Sequence, residues 1–193
     1  MPPEDVLATV QFGGTAAPPG DLPGLVARIP NRPLSPDTAR EIWPAAGTVA
    51  PIEIEGARAV ADGRSAFVAV EADAANGTAI DVLSFEIYAR TLRSLTRAGY
   101  PHLLRVWNYV PRIHDVSSGI ERYRVFCKGR SEAFAAHYGE SFPHRLPAAS
   151  AVGCPGETLV VHLLASREPG RHLENPRQVP AFRYPERYGP RSP

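Results

Sequence analysis

The sequence contains 193 residues, of which 44% are hydrophobic, so it is long enough for one domain with a substantial core. Its 21 basic and 20 acidic residues give a formal net charge of +1, a balance that disfavours both nucleic acid and anionic membranes as partners. The sequence shows neither a signal-peptide pattern nor an apolar run of the roughly 18 residues that a membrane span needs, and we therefore expect a cytoplasmic protein.

The prolines are concentrated near the two ends of the sequence. Most of the 21 prolines lie before residue 52 or after residue 168, so regular structure is expected mainly between residues 57 and 165. In the Pro-rich segment 1–56, apolar patterning predicts short strands at 6–12 and 25–30. A connector with one turn of helix at 37–42 is expected to follow them.

The middle of the chain begins with a predicted hairpin over residues 57–72. Its turn is Asp62-Gly63, a dipeptide that two-residue hairpin turns prefer. Residues 77–100 then predict a helix, because apolar side chains recur on one stripe and Gly99 is a suitable C-terminal residue. A buried strand is predicted at 102–110, although Arg105 and Asn108 are unusual residues for a core strand.

A second helix is predicted over residues 117–139. Six residues spaced three or four apart line one face of it, and Arg130 lies within this otherwise apolar stripe. Gly129 costs a helix about 1 kcal/mol relative to alanine, which indicates close packing against this position. The stripe consists of Ile120, Tyr123, Cys127, Arg130, Phe134 and Tyr138.

The last predicted elements are two strands within residues 147–166, joined as a hairpin by a turn that contains Gly153 and Gly156. The whole order predicts an α+β fold, in which a mixed β-sheet is packed with two main helices. Residues 166–193 contain six arginines and six prolines, and they are predicted to form an extended tail. The predicted organisation is therefore one domain at 1–165, which includes the Pro-rich entry segment 1–56, followed by this tail.

General sequence motifs for catalysis or metal binding are absent. There is no GxGxxG, GxSxG or HExxH motif, and the two cysteines are too few for a disulfide framework or a cysteine zinc site. An arginine on a core face needs a carboxylate partner, because burying an unpaired charge is costly. That carboxylate belongs either to the protein itself, with Glu86, Glu121 and Glu174 as candidates, or to a ligand.

Several separate motifs occur in an order that resembles the chorismatase family. They are "HLLRVWNYVPRI", "GIERYRVFCKGRSEAF", "LPAASAVG" and "ENPRQVPAFRYPERYGPRSP", and the resemblance is strongest from about residue 100 to the end. It implies a RidA-like fold and conversion of chorismate to pyruvate plus a dihydroxycyclohexadiene carboxylate or a hydroxybenzoate. It also implies no metal and no organic cofactor. The implied substrate-binding residues are Tyr123, Arg124, Arg130, Arg177 and, more weakly, Tyr109.

The resemblance also raises a question about catalysis. Release of pyruvate requires protonation of an enol ether, for which enzymes use a positioned general acid. In the family this acid is a glutamate of a C-terminal half, and the sequence here is expected to stop before that half. The alternatives are therefore a chorismatase-type enzyme, or a non-catalytic RidA-like binding module or half-enzyme. The second would need a homo-oligomer or a complementing C-terminal half.

Overall fold

The protein consists of three layers in a computed structural model that describes residues 5–13, 24–34, 39–75, 77–173 and 175–179. Two helices pack on one face of a six-stranded sheet, and a three-stranded sheet packs on the other face. This arrangement confirms the predicted α+β class with a mixed sheet and two main helices. Glu174 and residues 180–193 of the predicted tail lie outside the described residues.

The six-stranded sheet has the strand order β10-β7-β11-β6-β5-β4. Strand β10 is parallel to β7, and the other neighbours are antiparallel. The Asp62-Gly63 turn joins β5 to β6 as predicted, and Gly63 has a positive φ of 86°. The strands are β4 (Ala50–Pro51), β5 (Arg58–Ala61), β6 (Ser65–Asp73), β7 (His102–Pro111), β10 (Ala148–Cys154) and β11 (Thr158–Ser166).

The predicted hairpin of the last two strands is wrong. Strands β10 and β11 both form, but each of them pairs with β7, which lies between them. Residues 155–157 therefore cross the end of β7 instead of closing a tight turn. As a result β10 forms the edge of the sheet, with β7 as its neighbour.

The helices α1 (Ile80–Arg97) and α2 (Arg122–Tyr138) pack closely against each other. A Cβ atom on Gly129 of α2 would lie 1.9 Å from the carbonyl oxygen of Asp81 and 2.4 Å from the hydroxyl of Ser84. The Ser84 hydroxyl also donates a hydrogen bond to the carbonyl oxygen of Phe126, which links the two helices. The close packing predicted at Gly129 is therefore confirmed. A short hairpin of β8 (Val116–Ser117) and β9 (Ile120–Glu121) precedes α2, so the predicted helix began too early.

The second sheet contains β1 (Val6–Phe12), β2 (Leu25–Ile29) and β3 (Ala39–Pro44) in the order β2-β1-β3. The first two strands were predicted, but the turn of helix at 37–42 is wrong where the structure describes it, because residues 39–42 belong to β3. Trp43 of β3 packs edge-on against Trp107 of β7, with ring centroids 5.5 Å apart. This contact and the neighbouring Phe67 ring attach the small sheet to the large one. Within the described ranges, no helix is both long and apolar enough to cross a bilayer.

Candidate active site

A cavity of about 940 Å³ lies between the helices and the β7–β10 edge of the large sheet. Strand β7 supplies its floor with Leu103 to Val106, and β10 supplies Ala148 to Ala151. The helices contribute Tyr88, Tyr123, Arg130 and Phe134. The rest of the described wall consists of His144, Leu146, Pro147, Gly170, Arg171, His172 and Leu173.

The charged groups on this wall are cationic. Arg105, Arg130 and Arg171 line the cavity together with His144 and His172, whereas no Asp or Glu is among its described lining residues. Of the three arginines, Arg130 is buried, Arg105 is partly buried and Arg171 is exposed. The positive groups therefore extend from the interior of the protein to the opening of the cavity, which suits an anionic ligand.

Arg130 is the buried cation of this group, with 8% of its surface exposed. It lies on the inner stripe of α2, which the heptad-like spacing predicted. Its Nε atom is buried without a hydrogen-bond partner, and in the described part of the chain its guanidinium pairs with no carboxylate. A buried guanidinium without a carboxylate partner is costly, because its positive charge is not compensated. A carboxylate in the cavity would supply the missing partner.

The three internal carboxylates proposed as partners do not fill that role where the structure describes them. Glu121 pairs with His114 at 2.8 Å, and Glu86 is exposed on α1. Glu174 lies outside the described residues. The other alternative from the sequence, a carboxylate carried by a ligand, is compatible with the cavity.

Asn108 connects the interior of the cavity to its edge strand. It is 1% exposed, accepts a hydrogen bond from the Tyr88 hydroxyl, and donates from Nδ2 to the carbonyl oxygen of Ser150 at 2.9 Å. Burial raises the pKa of Tyr88 to about 12, although Arg130 and Asn108 act in the opposite direction. An amide on a core strand is therefore explained by two buried groups that it satisfies at once.

Tyr123 lies on the same inner stripe of α2 as Arg130. Burial raises its pKa to about 12, and the nearby Cys127 adds to this effect while Arg130 opposes it. Burial also raises the pKa of the Cys127 thiol, which keeps this group protonated near neutral pH. The cavity therefore presents neutral hydroxyl groups beside permanent cations.

A β-bulge shapes the floor of the cavity. Arg105 pairs with Leu164, but Leu103 pairs with Ala165, so Leu104 is an extra residue in β7. Such a bulge redirects the side chains around it. Leu103 and Val106 consequently both join the core on the helix side, while the Arg105 guanidinium lies 5.5 Å from the centre of the Trp107 ring.

The structure brings some of the predicted substrate-binding residues together and leaves others apart. Tyr123 and Arg130 both line the cavity. Arg124, on the same helix, is partly exposed and is not among its lining residues. Tyr109 is buried on the opposite face of the sheet, with its ring 5.7 Å from that of His162, and Arg177 is exposed outside the cavity.

Sequence reasoning missed Tyr88, Leu104, Arg171 and the backbone of β10 as parts of the cavity. Tyr88 had a weak signal, because Ser84, Tyr88 and Thr91 form a polar stripe beside the apolar face of α1. The bulge at Leu104 had no signal, because it depends on the register between β7 and β11. As to metals, no cluster of three or more His, Cys, Asp or Glu side chains occurs among the described residues.

The geometry defines an α+β domain with a cationic cavity beside an edge strand. The family model described as "Chorismatase FkbO/Hyg5-like, N-terminal" matches residues 41–165, and the chain therefore belongs to this family. A 3-hydroxybenzoate synthase from Streptomyces hygroscopicus is 44% identical over 108 residues, which cover 55% of this chain and 31% of that protein. A chorismatase from Streptomyces rapamycinicus is 40% identical over 109 residues, covering 55% and 32%.

The fold is similar to that of a solved chorismatase. The crystal structure of that protein at 1.08 Å resolution superimposes with a TM-score of 0.82 and 28% sequence identity. The match covers 98% of this chain and 57% of the chorismatase. The chain thus spans about a third of the curated relatives that it matches and little more than half of the solved structure.

Proposed function

We propose that this chain binds chorismate in the cavity and acts in its conversion to pyruvate plus a dihydroxycyclohexadiene carboxylate or a hydroxybenzoate. The observation that carries this proposal is Arg130, a buried guanidinium that lines the cavity and pairs with no carboxylate in the described chain. Membership of the chorismatase family and the names of the relatives support the same substrate.

The chemistry of chorismate fits the lining of the cavity. Chorismate has one carboxylate on its ring and another on its enolpyruvyl group, and an arginine can bind a carboxylate through two parallel hydrogen bonds. We assign one carboxylate to Arg130 in the interior and the other to Arg171 at the opening, because the Arg105 guanidinium lies beside Trp107 and Tyr109 on the other face of the sheet. Leu103, Val106 and Phe134 offer apolar contacts to the ring. The volume lies within the range of about 300–1,000 Å³ typical of small-molecule sites.

For the diol product, the reaction also requires an acid that protonates the methylene carbon of the enol ether. Water then adds to the enolpyruvyl carbon, and the bond between this carbon and the ether oxygen breaks to give pyruvate and the dihydroxycyclohexadiene carboxylate. The described lining contains no carboxylic acid for this step. Tyr88 and Tyr123, whose pKa values are raised to about 12, are weak acids. We therefore place the general acid outside the described residues, as the family resemblance predicted.

This requirement leaves a second candidate function open. The chain would then be a non-catalytic RidA-like binding module, or a half-enzyme that binds chorismate but depends on a complementing half or on a homo-oligomer for the acid. Among the predicted binding residues, Tyr123 and Arg130 are the strongest, while Arg124, Arg177 and Tyr109 stay predictions from the family motifs. The cytoplasmic location and the domain boundary near residue 165 also stay predictions.

The test of binding is isothermal titration calorimetry of the purified chain with chorismate. We expect one saturable site with a Kd below about 1 millimolar. The dimethyl ester of chorismate, which has the same ring but no charge, should bind much more weakly. Equal affinity for chorismate and its ester, or no heat with either, would overturn the proposal. Either result would mean that the cations do not recognise a carboxylate.

A coupled assay for pyruvate then separates the two candidate functions. Release of pyruvate above the spontaneous rate, together with chorismate binding, would identify the chain as an enzyme that supplies its own acid. Binding without release would identify a binding module or half-enzyme. Adding a separately produced C-terminal half of a chorismatase should restore release only in the half-enzyme case.

A further inference from the structure

The orientation of the Asn108 amide is fixed by its surroundings. The carbonyl oxygen of Ser150 can only accept a hydrogen bond, so the Nδ2 group of Asn108 must face it. The Oδ1 atom of Asn108 then faces the Tyr88 hydroxyl, which must act as the donor. The proton of Tyr88 is therefore directed at Asn108, and the lone pairs of its oxygen remain available to another donor.

Arg130 is a hydrogen-bond donor in the surroundings of that oxygen. The guanidinium and the Tyr88 hydroxyl line the same cavity, and the guanidinium lies near enough to lower the pKa of the phenol against the effect of burial. Since Arg130 has no carboxylate partner in the described chain, the neutral oxygen of Tyr88 can orient it without cancelling its charge.

We infer that Asn108 and Tyr88 are positioning residues, in which Asn108 fixes the hydroxyl of Tyr88 and Tyr88 holds the Arg130 guanidinium in place for an anionic ligand. The identity of that anion as chorismate rests on the proposed function, whereas the positioning itself does not. The inference also explains why the core strand contains an amide and not a carboxylate. An aspartate at this position would place a negative charge beside Arg130 and compete with the ligand for it.

The first test measures chorismate affinity in two variants. Tyr88→Phe removes the hydroxyl but keeps the hydrogen bond between Asn108 and Ser150. We expect about tenfold weaker binding, and a lower melting temperature in a still cooperative transition, because the buried Oδ1 atom of Asn108 loses its donor. Asn108→Asp is expected to weaken binding about a hundredfold. The control is Tyr138→Phe, a tyrosine of α2 outside the cavity lining, which should keep wild-type affinity. Wild-type affinity in Tyr88→Phe would overturn the inference.

The second test needs no ligand, so it separates the positioning from the proposed function. NMR follows hydrogen exchange of the Arg130 Nη–H groups, since Nε has no hydrogen-bond partner, and these signals are assigned by their absence in Arg130→Met. We expect a protected signal in the wild type and in Tyr138→Phe, and at least tenfold faster exchange in Tyr88→Phe. Equal exchange in Tyr88→Phe and the wild type would show that Tyr88 does not hold Arg130, whatever the ligand. Faster exchange without chorismate binding would support the positioning and contradict the proposed function.

Discussion

Because His162 is buried, we predict that the protein loses stability in mild acid, and this loss can be measured directly. This residue of β11 is 1% exposed, with its ring 5.9 Å from that of Phe67 and 5.7 Å from that of Tyr109. Its Nε2 atom is buried without a hydrogen-bond partner in the described chain. Burial, with a smaller contribution from Arg58, lowers its pKa from 6.5 to about 4. The folded protein therefore keeps this ring neutral at a pH where the unfolded chain already binds a proton.

The sign and the size follow from this difference in pKa. Because the unfolded state binds more protons below pH 6.5, the stability is fully present above that pH and falls as the pH falls towards 4. The difference of 6.5 minus about 4, at about 1.36 kcal/mol for each pH unit, corresponds to about 3 kcal/mol in total. About 2 kcal/mol of this is lost between pH 7 and pH 5.

The assay is urea denaturation at pH 7 and at pH 5, followed by tryptophan fluorescence, since Trp43 and Trp107 lie in the same aromatic cluster. The variant His162→Leu cannot titrate, so its free energy of unfolding should fall by about 2 kcal/mol less than that of the wild type over this interval. The control His172→Gln changes an exposed histidine outside this aromatic cluster and should lose as much stability as the wild type. Parallel losses in His162→Leu and the wild type would refute the reasoning.

Three further predictions concern packing, turn formation and the binding residues. Gly129→Ala should lower the free energy of unfolding by about 2 kcal/mol, because the new Cβ would meet the carbonyl oxygen of Asp81, although alanine is the better helix former. A melting temperature equal to or above that of the wild type would contradict this prediction. Asp62→Ala should lower the free energy of unfolding in urea by about 1–2 kcal/mol. The Asp62 carboxylate accepts hydrogen bonds from three backbone N–H groups, those of Ala46, Arg64 and Ser65. An unchanged urea midpoint would argue against this role. Arg177→Ala should weaken chorismate binding less than Arg130→Met does, because Arg177 is exposed outside the cavity. If calorimetry shows the reverse order, the binding site lies nearer the tail.

Much of the fold could be predicted because local patterns determine it. The Asp62-Gly63 turn, the stripe of α2 and the close contact at Gly129 depend on residues near each other in sequence or on one helix face. The separation of β10 from β11 could not be predicted, because adjacent strands with a short connection are expected to pair directly. Their placement on either side of β7 depends on long-range pairing.

The same distinction applies to the candidate site. Arg130 was predicted to face inwards from helical spacing, and it is buried, whereas Arg124 is partly exposed. The role of Asn108 could not be predicted, because its two partners lie on α1 and β10, far from it in the sequence. The contribution of Leu104 depends on a bulge that only the pairing with β11 reveals.

The central claim is that Arg130 is kept as a buried cation for an anionic ligand, and the variant Arg130→Met tests it most directly. Calorimetry with chorismate and thermal unfolding are measured on the same samples, with the exposed Arg93→Met as the matched control. We predict that Arg130→Met weakens binding about ten- to a hundredfold, while its melting temperature stays equal to or above that of the wild type, because an unpaired buried charge is removed. Binding that survives in Arg130→Met, or a loss of binding that only accompanies unfolding, would contradict the account.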